Sequence, residues 1–237
     1  MNLAIQKKTS FVLFASFVVF VADTVGTFGF QRMTPKLRIV AMGDSTTAGT
    51  PGWKSPLEAP PNGAGDETSQ YAYWLMKTHP AWEVLNRGVN GERSDQILAR
   101  FERDVIAEKP AAVVIIAGVN DVYQGRPADF ATANLKTMYD RARQAHIRVV
   151  AGTIVPYNTA TPDQNGRMHA INDWIRRQAD GDPNIEFADT RAAVAAPGSP
   201  DRLSESPDGL HPTAQGYRQM AEAVRRVLEV IVRGAGL

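Results

Sequence analysis

From Leu37 onward, short apolar runs alternate with longer amphipathic ones. LRIVAM (37–42), WEVLN (82–86), AAVVIIAG (111–118), IRVVAGTI (147–154) and IEFAD (185–189) are mostly apolar and bounded by turn residues, the pattern of strands. Between them, QYAYWLMKTH (70–79), SDQILARFERDVIAEK (94–109), PADFATANLKTMYDRARQAH (127–146), RMHAINDWIRRQA (167–179) and PTAQGYRQMAEAVRRVLEVIV (212–232) predict helices. The first two stop before Pro80 and Pro110, because a residue preceding proline avoids the helical region. The second opens on Ser94 as N-cap, and the third has Pro127 in its first turn and basic residues near its end.

Strands apolar on both faces and separated by helices make a parallel sheet covered on both sides. Right-handed crossovers then give an α/β fold, a three-layer α/β/α sandwich with a mainly parallel sheet of about five strands. Residues 46–69, 155–166 and 195–209 read as long connections that follow strands, the last through a short segment. Ligands of open α/β sheets bind beyond the carboxyl ends of the strands, so a site is expected on that side.

Composition narrows the chemistry. The 237 residues suffice for one core, and the absence of cysteine excludes disulfides, thiolate metal sites and cysteine nucleophiles. A formal net charge of +1 gives no electrostatic case for nucleic acid. Residues 1–36 hold four basic side chains and one acidic, which leaves 22 basic and 24 acidic for a nearly neutral body. Lys7 and Lys8 precede the twelve-residue apolar run Phe11 to Ala22, the pattern of a signal peptide, with small residues at Thr24 and Gly26 for cleavage. Phe11 to Phe30, interrupted by Asp23, would alternatively serve as an uncleaved anchor. Residues 1–36 are therefore expected to be a signal peptide or membrane anchor plus a short linker, and residues 37–237 the folded domain. The protein is expected to be exported, periplasmic or secreted, with membrane contact only through this segment.

Four polar clusters fall where strands end or the last helix begins: Gly43-Asp44-Ser45, NRGVNGE (86–92), GVND (118–121) and DGLHP (208–212). A serine hydrolase needs a hydroxyl nucleophile, an imidazole base, an acid to orient it and donors for the oxyanion. Ser45 at a strand-to-helix turn, His211, and Asp208 three residues before it fill the first three roles. The Ser45 and Gly91 N–H groups and the Asn120 amide fill the fourth. Singly, each cluster is an ordinary turn or cap; their joint order after successive strands is not ordinary.

These blocks, GDSTTAG, NRGVNG, GVND and DGLH, resemble the four blocks of the SGNH (GDSL-type) hydrolase family, which carry in order a serine, a glycine, an asparagine and a histidine. The resemblance spans roughly Leu37 to Val232. It implies Ser45 as nucleophile, His211 as base, Asp208 as third triad member, and Ser45, Gly91 and Asn120 as the oxyanion hole. Gly91 is preferred to Gly88 on the family pattern. Thr46 stands where many members carry an apolar residue and looks like some carbohydrate-esterase members.

The resemblance implies a carboxylic ester hydrolase that needs no metal or organic cofactor. The same triad would serve a lysophospholipase, a thioesterase or an acyltransferase, and a binding module could keep the fold without activity. A metallophosphoesterase would need several histidine ligands, and only His211 is suitably placed. Trp53, Tyr123 and Tyr157 stand on site-side loops as candidates to line a substrate cleft. The loops offer little continuous apolar surface, so the expected partner is a small ester with a short acyl group, on a carbohydrate or a lipid.

Overall fold

The computed structural model describes residues 36–234, and the expected signal or anchor segment lies outside the described residues. Strand β1 (Leu37–Gly43) leads into a four-residue helix, α1 (Ser45–Ala48). A hairpin of β2 (Trp53–Lys54) and β3 (Ala64–Gly65) precedes α2 (Tyr71–Thr78), β4 (Trp82–Gly88) and α3 (Ser94–Ala99). Then come β5 (Ala112–Ile116), α4 (Val119–Tyr123), α5 (Ala128–Gln144), β6 (Arg148–Gly152), α6 (Pro162–Gly181) and β7 (Ile185–Ala188). Helix α7 (Thr190–Val194), a second hairpin of β8 (Ala195–Ala196) and β9 (Ser199–Leu203), and the long α8 (Ala214–Gly234) complete it.

The central sheet has five strands in the order β4-β1-β5-β6-β7, and every pairing is parallel. Alternation along the strands feeds two cores. Val40, Met42, Val113 and Ile115 pack with Ile97, Phe101, Leu135, Met138 and Ile171 on one face. Ile39, Ala41, Val114 and Ile116 pack with Tyr71, Leu75, Tyr217, Val224 and Leu228 on the other. In α8 the buried Tyr217, Met220, Val224, Leu228 and Ile231 recur every three or four residues, a single apolar stripe. Each such side chain contributes about 1.5–3 kcal/mol on burial, enough to hold the helix to the sheet. Among the described residues no helix is long and apolar enough to cross a membrane.

Gly43 is in register with Gly88 and with Ile116, so β1, β4 and β5 end at one level. The chain leaves β1 for β4 on one side and returns to β5 on the other. The strand order thus reverses at β1, the crevice where such sheets bind ligands.

Four local expectations are corrected. The helix expected over 94–109 ends as an α-helix at Ala99, and a π-helical turn follows at Glu102–Ile106. Ser94 is not its N-cap: Arg93 is, and the Ser94 N–H donates to Asp121 Oδ2 from α4. Helix α6 starts at Pro162, not 167, because Thr161 caps the Gln164 N–H while Gln164 Oε1 accepts the Thr161 N–H. The long connections expected at 46–69 and 195–209 contain the two hairpins.

Candidate active site

The strand-to-helix turn after β1 is built by Asp44. Its Oδ1 accepts the Thr46 N–H at 2.9 Å, and its carbonyl accepts the Thr47 and Ala48 N–H groups. Of the first-turn donors of α1, this leaves the Ser45 N–H without an acceptor among the described residues. Asp44 is buried, and its Oδ2 has no hydrogen-bond partner among the described residues. Burial, against the Thr46 hydrogen bond, pushes its carboxyl up to about 7.

Ser45 is 5% exposed, and its Oγ lies 2.9 Å from His211 Nε2. His211 Nδ1 lies 2.7 Å from Asp208 Oδ2. Asp208 Oδ1 accepts the Leu210 and His211 N–H groups, both at 2.9 Å, a turn that Gly209 completes with φ of +77°. Burial raises the Asp208 carboxyl. The hydrogen bonds from His211 and the two N–H groups outweigh it and hold the group below the usual carboxylate range. An ionised Asp208 fixes the Nδ1–H tautomer and turns the Nε2 lone pair toward Ser45. The fold thus brings together one residue after β1 and two from the turn before α8, 166 positions apart in the chain.

Val119 and Asn120 belong to α4, a short helix where the sequence suggested only a loop. Asn120 Nδ2 donates to the Glu92 carbonyl at 2.9 Å, and its second N–H remains for another acceptor. Gly91 has φ of +78° and open space where a Cβ would stand, so its need for glycine is conformational. Its carbonyl accepts Gln124 Nε2 at 3.2 Å. Gly88 differs. Its N–H donates to Asn86 Oδ1 at 2.9 Å, and a Cβ there would come within 2.0 Å of the Ala48 nitrogen, so it is the close-packing point of β4 under α1.

Ser45, Thr46, Asn120 and His211 open into a cavity of about 200 Å³, walled by Asn90, Val119, Tyr123, Tyr157 and Leu210. Tyr123 and Tyr157 meet edge to face, ring centroids 5.7 Å apart, and Tyr123 is 53% exposed at the mouth. Trp53 does not line this cavity: its indole packs at Gly63, where a Cβ would sit 2.4 Å from the ring. It supports the β2–β3 hairpin. Val119, Leu210 and Asn90 were not singled out from the sequence, although each adjoins a residue that was. A larger surface cavity of about 540 Å³ lies between β7 and α8, among Asp189, Glu222 and Arg226, with no hydroxyl nucleophile or histidine in its wall. Among the described residues no group of three or more His, Cys, Asp or Glu side chains is close enough to hold a metal ion.

The fold is shared with known proteins. Residues 41–219 match the model of the GDSL-like Lipase/Acylhydrolase family. Over 122 residues the chain is 31% identical to an acetylxylan esterase of Geobacillus stearothermophilus, a match covering 46% of this chain. It spans 55%, about half, of that curated relative's length. The structure of a GDSL-like lipase from Bacteroides thetaiotaomicron is similar with a TM-score of 0.66 and 26% identity, over 82% of this chain and 88% of that one. The structure of a catalytic mutant of an acetylxylan esterase from G. stearothermophilus shares the fold, with a TM-score of 0.62 and 24% identity over 81% of this chain and 93% of the other. With residues 41–219, most of its length, matched by the family model, the chain belongs to the GDSL-like lipase/acylhydrolase family.

Proposed function

We propose that this protein hydrolyses short-acyl carboxylic esters through an acyl-enzyme on Ser45, with acetylated carbohydrates as its substrate class. The observation that carries the reading is the hydrogen-bonded line Ser45 Oγ–His211 Nε2–Asp208 at 2.9 and 2.7 Å, opening into a small cavity.

In this reading Ser45 Oγ attacks the ester carbonyl while its proton passes to His211 Nε2. The Ser45 and Gly91 N–H groups and the Asn120 amide bind the developing oxyanion. Gly91 is favoured over Gly88 because the Gly88 N–H is already given to Asn86. His211 then protonates the leaving alcohol, and the acyl group stays on Ser45. Next, His211 takes a proton from water as the water attacks the acyl carbonyl, and it gives that proton to Ser45 Oγ as the acyl–Oγ bond breaks and the carboxylic acid leaves. Asp208 remains ionised throughout and stabilises the imidazolium.

Two observations support the substrate class. The cavity of about 200 Å³ is below the roughly 300–1,000 Å³ of sites that enclose drug-sized ligands, so it suits an acetyl to butyryl group and not a long tail. The exposed ring of Tyr123 at its mouth offers an apolar face to a sugar, and a relative is named an acetylxylan esterase. Release of acetate from acetylated xylo-oligosaccharides by the wild type, lost in Ser45→Ala, tests it. Turnover of p-nitrophenyl acetate with no release from any acetylated sugar would remove the carbohydrate part. We also propose export through the N-terminal segment. Sequencing the mature N-terminus tests this, and a cytosolic product beginning at Met1 or Asn2 would contradict it.

A further inference from the structure

Beneath the site lies a buried charged cluster that this reaction scheme does not use. Arg100 follows α3 and is 8% exposed. Its guanidinium donates to the Gly43 carbonyl at 2.8 Å, to the Arg87 carbonyl at 2.7 Å, to Asp104 at 2.9 Å and to Glu92 at 2.7 Å. The two carbonyls stand at the carboxyl ends of β1 and β4, where the chain turns out of the sheet toward Ser45 and toward Gly91. A rigid five-donor fork is suited to hold several such acceptors at once. Glu92 is gripped at both ends: its carboxylate by Arg100, its carbonyl by Asn120 Nδ2 at 2.9 Å. A continuous line of contacts therefore runs from the residue before Asp44, through Arg100 and Glu92, to the Asn120 amide.

We propose that Arg100, acting through Glu92 and the Gly43 carbonyl, is a positioning residue that sets the Ser45 N–H, the Gly91 N–H and the Asn120 amide relative to one another. The inference rests on the serine-esterase reading of the site. Oxyanion donors act on charge that develops only in the transition state, so a displaced donor lowers kcat and leaves KM little changed. A strut that only holds the fold together would lower the melting temperature and slow the reaction by the same factor in any background.

The test is a double-mutant cycle on p-nitrophenyl acetate with Arg100→Lys, Glu92→Gln, Asn120→Ala and the paired variants, Ser45→Ala giving the baseline. Lysine keeps the charge but loses the fork. Arg100→Lys is expected to lower kcat roughly 10- to 100-fold, and Glu92→Gln roughly threefold or more, each with KM within about twofold. In the Asn120→Ala background both effects shrink, because one of the three donors they position is gone, while the melting-temperature changes simply add. Equal kcat factors in both backgrounds, or a loss confined to KM, would overturn the inference. Should Arg100→Lys fail to fold, the partly exposed Glu92→Gln carries the same comparison. Full activity in Ser45→Ala would instead remove the esterase reading and the inference with it. An inactive Ser45→Ala with an additive cycle removes the inference alone.

Discussion

The Asn120 amide and the Glu92 carbonyl meet at 2.9 Å, so helix α4 after β5 and the loop after β4 are held as one piece. Gln124 Nε2 on the Gly91 carbonyl, and the Ser94 N–H and Oγ on Asp121, repeat the bond on either side. Two of the three proposed oxyanion donors are therefore braced against each other before any substrate arrives. Asn120→Ala is expected to lower kcat by roughly 10²–10³, the cost of one oxyanion donor, with a smaller change in KM. An unchanged kcat would take Asn120 out of the site.

Asp208 is held ionised by His211 and two backbone N–H groups. Asp208→Asn presents an amide to Nδ1 and favours the wrong imidazole tautomer. The expected result is a kcat at least about tenfold lower, up to the roughly 10⁴-fold known for buried triads, with KM nearly unchanged. A pure KM effect would contradict the orienting role.

Asp44 gives a prediction for stability against pH. Its carboxyl is raised to about 7 when folded, against 3.8 unfolded. Between those values the folded chain binds the extra proton, so this group's contribution to stability falls as pH rises. Asn mimics the neutral acid and keeps the cap. The Asp44→Asn variant should therefore gain on the wild type by about 2–3 kcal/mol between pH 5 and pH 8 in urea unfolding. A pH-independent difference would show that Asp44 is ionised in the fold.

The cavity volume sets a limit on the acyl group. Each buried methylene contributes about 0.8 kcal/mol, so a site with room for a long tail gains steadily with chain length. kcat/KM over p-nitrophenyl esters should peak between two and about four acyl carbons and fall beyond. A continued rise to about ten carbons would point to a lipid or thioester substrate.

Much of this was legible because the sheet is buried on both faces. Strands such as Val113–Ile116 are apolar without alternation, and the polar blocks that follow them stand out against that background. The order of Ser45, Asn120 and His211 could be read because each terminates an apolar run or precedes a clear helix. The break after Ala99 could not, since Ser94 to Lys109 has helical periodicity throughout; at the break Arg100 donates to the Gly43 and Arg87 carbonyls, partners distant in sequence. A signal was present: Arg100 and Asp104 fall on the face that also carries Ile97, Phe101 and Val105, an odd place for charges unless they are buried together. Trp53 stands on a loop at the site side of the sheet, as expected, but the way its hairpin folds turns the indole to Gly63, which no local pattern carries. The small hairpins rest on long-range contacts, such as the Leu203 N–H to Asn158 Oδ1, that no local pattern carries.

A covalent acyl group on Ser45 should be visible by intact-mass measurement of the protein quenched within its first turnover of p-nitrophenyl acetate. One added acetyl group is expected, mapping to the peptide that contains Ser45 and absent in a folded Ser45→Ala variant, which also loses turnover. An acetyl group mapped elsewhere, or a Ser45→Ala variant that still turns over at the wild-type rate, would contradict it.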